Sequence, residues 1–147
     1  MSALVKLGSS RFQHRCWLDP WPPSPKKNRQ LILSALGIDD QGEEVLTANT
    51  ARFSPLATCR KNDVVLLQTA NGLVAARVKL HCKVTGECVS LVQIFTFIRR
   101  MPGTALAVWR VDDVPHECWE TKAIVAAVEF CLYPDGNIGT LLPLEHV

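Results

Sequence analysis

The stretch NDVVLLQTANGLVAARVKLHCKVTGECVSLVQIFTFIRR, residues 62–100, decides the fold. Two turn signals, Asn71-Gly72 and Thr85-Gly86-Glu87, separate three runs rich in Val, Leu, Ile and Phe. Extended runs joined by tight turns predict an antiparallel meander. In the second run Val74, Ala76, Val78, Leu80 and Cys82 fall on one face, and Ala75, Arg77, Lys79 and His81 on the other. Strand side chains alternate, so this pattern predicts one wet, basic face. The third run is apolar on both faces, with Val92, Ile94 and Ile98 against Val89, Leu91, Phe95 and Phe97. It is expected deep, in a closed or doubly covered sheet.

Working outward, QLILSAL at residues 30–36 fits a short buried strand, though so brief an apolar run also suits a helix. Asp39-Asp40-Gln41-Gly42 reads as a turn, residues 45–48 as the return strand, and residues 49–60 as a connection containing Pro55. Beyond the meander, Arg99-Arg100-Met101-Pro102-Gly103 breaks the sheet and residues 104–111 form another strand. Residues 112–116 are a loop, and residues 123–132 a long strand favoured by its β-branched members. Tyr133-Pro134-Asp135-Gly136-Asn137 is a turn, and residues 138–144 close the domain. Seven or eight closely spaced strands predict a mainly β fold, either a small distorted β-barrel or a partly open antiparallel sandwich.

A chain of 147 residues is expected to form one domain with a real core. Its 48% hydrophobic and 20% charged residues argue against wholesale disorder. The net charge of +2 is too small to argue nucleic-acid binding from composition. Its distribution is uneven. Lys6, Arg11, Arg15, Lys26, Lys27 and Arg29 face only Asp19 near the N-terminus, while the remainder is mildly acidic. Pro20, Pro22, Pro23 and Pro25 lie in the same region and favour extended backbone. Residues 1–28 are therefore expected to be an irregular basic arm, docked through Trp17 and Trp21, and residues 29–147 a single β domain. Such an arm is ordinarily solvated, but it can also touch phosphates or an acidic partner. Met1 to Gly8 is too weakly apolar for a secretory leader, and no run is long enough to span a membrane. The six cysteines lack paired spacing and are expected as reduced thiols in an intracellular chain.

Motifs for catalysis are missing: there is no phosphate-binding glycine loop, HExxH or GxSxG. Asp112, Asp113, Glu117 and Glu120 suit a solvated loop better than an acid/base pair. His81, Cys82, Cys88, His116 and Cys118 invite a test for zinc, but the Cys82–Cys88 interval is too wide for a knuckle and no second knuckle exists. Neither metal nor cofactor is expected. The aromatics carry more information. Phe97, Trp109, Trp119 and Tyr133 can be read as an open box, with Glu120, Glu117 or Glu129 supplying a carboxylate. Such a box attracts a methylated ammonium through the ring faces. The competing reading is that these rings are core, as strand aromatics usually are. Arg77, Lys79, Arg99 and Arg100 form the expected basic face.

Four segments resemble bromo-adjacent homology (BAH) domains. Arg60-Lys61-Asn62-Asp63-Val64-Val65-Leu66-Leu67 is similar to their first strand, and Gly72-Leu73-Val74-Ala75-Ala76-Arg77-Val78 to the next. Val89 through Arg100 resembles the strand that ends in aromatic–aromatic–Arg–Pro, here with Ile98 interposed and the proline delayed to Pro102. Ala123 through Phe130 resembles a later strand, with Ala126 where the family has glycine. The similarity spans about residues 59–146. It implies a non-enzymatic chromatin module that binds a protein or histone-tail partner in the nucleus, with Phe97 and Trp109 at carried-over positions. Two other readings stand beside it. One is a structural or assembly domain of a larger mobile-element or multidomain protein, with an exposed apolar patch or sheet edge and no concave site. The other is a small barrel that binds single-stranded nucleic acid.

Overall fold

The computed structural model describes residues 21–23, 25–40, 42 and 44–143, with Lys26 and Lys27 described by backbone alone. The meander is present. Strands β4 (Val64–Thr69), β5 (Gly72–Val84) and β6 (Glu87–Ile94) pair antiparallel in sequence order. β1 (Val45–Ala48) pairs with the far half of β5. β9 (Glu117–Glu120) and β10 (Ile124–Val128) form the two ends of this six-stranded sheet, beside β6 and β4. The Thr85-Gly86 turn has positive φ at both residues, 51° and 85°, as a type I′ hairpin requires. The other turn closes one residue earlier than Asn71-Gly72 suggests, because Thr69 and Gly72 are already a pair.

An irregularity in β5 decides which face each side chain takes. Val78 pairs with Val92, yet Leu80 pairs with Leu91, so Lys79 is an extra residue in β5. A one-residue slip turns every later side chain to the opposite face. Ala76 and Val78 therefore pack with Cys59, Val65, Leu67, Val92 and Ile124, whereas Cys82 and Val84 pack on the reverse face with Ile32, Leu33, Val45 and Val89. His81 moves the other way. It is fully buried, not part of a wet face, and this corrects simple alternation.

Three elements cover the sheet. The hairpin of β2 (Thr50–Ser54) and β3 (Ala57–Arg60) places Phe53 and Cys59 over one face. Sequence reading took this hairpin for a connection. On the reverse face lie a helix, α1 (Lys26–Leu36), and a four-stranded sheet. The strand expected at residues 30–36 is thus helical. The helix ends at Gly37, φ 70°, where Gly37 N–H donates to Ser34 and Ile38 N–H to Leu33. That C-terminal lock, with Ile32, Leu33 and Leu36 on one stripe, favours the helix.

The four-stranded sheet runs β11 (Phe130–Leu132), β12 (Ile138–Leu141), β8 (Leu106–Arg110), β7 (Thr96–Arg100). Its inner face supplies Ala107, Trp109 and Ile138 to a core shared with Val64, Leu66, Ala75 and Phe95. The expected strand at residues 123–132 is divided between β10 in one sheet and β11 in the other, around Glu129. The fold is mainly β, a layered antiparallel sandwich, and no strand among the described residues closes it into a barrel. From the N-terminal arm, Trp21 is buried, with the Lys83 ammonium 4.9 Å from its ring centre, and Pro23 bridges to Leu46. Trp17 lies outside the described residues.

Candidate interaction surface

The residues expected to form an aromatic box are not gathered into one. Trp109 is only 2% exposed, because its side chain faces from β8 into the core between the two sheets. Its indole N–H donates to Thr140 Oγ1 at 3.0 Å inside the core. Phe97, 51% exposed, lies edge-on to Trp109, with ring centres 5.3 Å apart at 74°. Trp119 belongs to the other sheet, packs on the core beneath the hairpin and donates its indole N–H to Glu117. Tyr133 and Glu120 line two separate grooves. The exposed position expected for Trp109 is therefore corrected: the sequence pattern does not distinguish an inner strand from a rim.

The basic residues are also dispersed. Arg77 reaches between the sheets, and Lys79 is the extra residue of β5. Arg99 and Arg100 lie on β7, every residue of which is exposed. β7 is itself irregular between Phe97 and Arg99. Charged side chains and an irregular backbone are the devices by which natural edge strands resist pairing with another chain.

The first groove, about 280 Å³, lies on the outer face of the four-stranded sheet, lined by Arg99, Met101, Val108, Tyr133, Asp135 and Asn137 among others. Val108 follows Ala107 and precedes Trp109, so its side chain takes the face opposite theirs. The second groove, about 300 Å³, is lined by Arg52, Phe53, Glu87, Cys88, Glu120, Thr121 and Lys122.

Behind the second groove runs a buried polar network. His81 Nε2 is 3.2 Å from the Cys59 carbonyl and 3.5 Å from Cys59 Sγ. His81 Nδ1 is 2.7 Å from Ser90 Oγ, which is 2.8 Å from Thr121 Oγ1, which is 3.3 Å from Cys88 Sγ. A carbonyl can only accept, so Nε2 carries the ring proton and Nδ1 accepts from Ser90. Ser90 then accepts from Thr121, and Thr121 from the Cys88 thiol. Burial pushes the imidazole down from 6.5 to about 4, outweighing the hydrogen bond to Cys59. Burial also pushes the Cys59 thiol up to about 12. A neutral imidazole with both nitrogens engaged has no site left for a substrate proton. The nucleophile a catalytic reading needs is also held as a thiol.

Cys82 Sγ donates to the Val89 carbonyl at 3.5 Å, and its interaction with the neighbouring Cys118 thiol raises Cys82 and lowers Cys118. They stand on β5 and β9, with β6 between. At about 4.8 Å per strand step their backbones are farther apart than the ~7 Å a disulfide tolerates. The described residues contain no cluster of His, Cys, Asp or Glu able to hold a metal. They also contain no helix long and apolar enough to cross a membrane.

The most distinctive surface was missed by sequence reading. β10 and β11 follow one another along the chain, and each is the terminal strand of its own sheet. Among the described residues β10 pairs only with β4, and β11 only with β12. Residues 124–132 thus line the outer edge of both sheets, with an irregularity between Ile124 and Ala126 and a break at Glu129, their one charged residue. Val125 is 47% exposed, Phe130 41% and Leu132 68%. Arg77 stands on β5, two strands in from β10, in a row with Val64 and Val128. Its guanidinium carbon is 6.0 Å from the Phe95 ring centre and 5.6 Å from that of Phe130. Its Nε is buried and has no acceptor. The signal was available in the sequence: IVAAVEFCL is a long run with one charge. Its position at the edge of both sheets was not. No family model, curated protein or solved structure matches this chain.

Proposed function

We propose that the chain is a non-enzymatic interaction module that binds a protein partner through the edges and exposed face of its sandwich. The observation that carries this reading is the apolar edge at residues 124–132, with Val125, Phe130 and Leu132 in solvent. An uncovered apolar edge is a template for another chain. The engaged state of His81 and the raised Cys59 thiol favour a binding role over a catalytic one. The narrower version, a nuclear reader of methylated histone tails, needs an open box, and Trp109 is sealed in the core. The wider reading therefore has the better support. Nucleic-acid binding has less, since Arg77, Lys79, Arg99 and Arg100 do not share a face.

A random peptide library displayed on phage, selected against the purified chain, tests this. Sequences that bind the native chain and lose binding to Leu132→Lys support the module. A parallel modified-histone peptide array separates out the chromatin version. No enriched peptide, or binding indifferent to changes at Val125, Phe130 and Leu132, would overturn the proposal.

A further inference from the structure

We infer that residues 21–23 are a displaceable strap on β1. Docked, the strap closes the outer edge of that strand; released, it opens the edge to the addition of an extended segment. This device lies on a different edge from the one that carries the interaction-module reading, and neither depends on the other.

β1 is short, Val45–Ala48, and among the described residues β5 is its one strand partner. The arm covers its other side. Pro23 bridges antiparallel to Leu46, and the Thr47 N–H donates to the Pro22 carbonyl at 3.0 Å. Pro22 and Thr47 thus stand opposite as a hydrogen-bonded pair, in which two ordinary residues exchange both bonds. Proline has no N–H, so Pro22 accepts from Thr47 and returns nothing to the Thr47 carbonyl. The backbone of Pro23 points the other way, to the outside, where its missing N–H offers no donor to a further strand. Proline at an edge is one of the devices that stop pairing. The strap therefore ends the sheet without presenting a new template.

Its anchor is a single ring. Trp21 is 8% exposed, with the Lys83 ammonium 4.9 Å from its ring centre, while Pro22 and Pro23 are exposed. Burial of a large aromatic and a cation over its face both favour the docked state. Opposite Thr47, however, the strap makes one bond where an ordinary residue makes two. An extended segment with a tryptophan for the same seat and a residue other than proline opposite Thr47 supplies the anchor and completes the pair. What holds such a segment off is the tether, which keeps the strap at an effective concentration on the order of millimolar. Loosening Trp21 removes that competitor.

A dye-labelled synthetic peptide with the sequence of residues 19–25 and the change Pro22→Val tests this on the full chain by fluorescence anisotropy. The Trp21→Ala chain should bind the peptide at least about tenfold more tightly than the native chain, as expected when an intramolecular competitor is lost. Trp21→Leu, a milder truncation, should shift binding in the same direction by less, and it carries the test if Trp21→Ala does not unfold cooperatively in urea. The peptide with Pro22 retained should bind either variant more weakly than the Pro22→Val form. Hydrogen exchange locates the site: the Thr47 amide should exchange faster in the variants than in the native chain and regain protection with peptide, while amides of β4 to β6 stay unchanged. Equal affinity for native and variant chains, binding to neither, binding that leaves the Thr47 amide unprotected, or equal binding of the two peptides overturns the inference.

Discussion

Ser90 links the two halves of the buried network. It donates to His81 Nδ1 and accepts from Thr121. Ser90→Ala leaves the imidazole without a donor and Thr121 without its acceptor. Each unsatisfied buried group costs about 1–3 kcal/mol. With two such groups, denaturant unfolding should show a loss of roughly 2–6 kcal/mol for Ser90→Ala, and almost none for the exposed Lys122→Ala. A loss of only a few tenths would mean that the network contributes little. Thr85 is the opposite case, a residue poorly suited to its place. A β-branched side chain at φ 51° is strained, and asparagine tolerates that conformation. Thr85→Asn is expected to stabilise by roughly 1 kcal/mol, the low end of the strain at such positions, read as a higher melting temperature.

At the scale of elements, the extra residue in β5 has the largest consequences. Without it Leu80, Cys82 and Val84 would face the hairpin, and His81 would face the helix. Deleting Lys79 is therefore expected to abolish cooperative thermal unfolding, whereas Lys79→Ala, which keeps the residue count, should unfold cooperatively like the native chain. Equal melting curves for the two would sink the argument. The same feature explains what the sequence could and could not show. The strands of the meander were legible, because Val, Leu and Ile runs between turn residues need only local information. The burial of His81 was not, since the pairing with β6 sets it. Trp109 was misplaced for a related reason: which face of β8 is covered depends on the other sheet packing against it. The helix at Lys26–Leu36 was ambiguous on hydrophobic runs alone, although Gly37 marked its end. Gly139 is a further test at this scale. An added Cβ would stand 2.9 Å from both Cys131 Sγ and Tyr133 Oη. Gly139→Ala should force both side chains aside and cost about 1–3 kcal/mol, as overpacking does, seen as a lower melting temperature.

For the whole molecule, the two buried groups of the network set opposite limits on stability against pH. Unfolded, the imidazole takes a proton near 6.5; folded, it does so only near 4. Between those values the unfolded state binds more protons, so stability rises with pH across that window. Below about pH 4 that contribution is gone, a loss on the order of 3 kcal/mol at 1.36 kcal/mol per unit. Cys59 acts at the other end. Its thiol ionises near 9 when unfolded and near 12 when folded, so the folded state retains the proton longer and stability falls as pH rises above 9. A plateau between about pH 6.5 and 9 with a decline on either side is the expected profile. The two limbs can be separated by substitution. Cys59→Ser should make the alkaline decline shallower, the raised thiol of Cys82 keeping the remainder, while leaving the acid one. His81→Gln should remove the acid decline, though the chain starts less stable because the network is cut. Urea midpoints measured from pH 4 to pH 10 give the profile directly. An acid limb unchanged in His81→Gln would show that other groups, the carboxylates of Asp40 and Asp112 first among them, set the acid limit through their arginine partners.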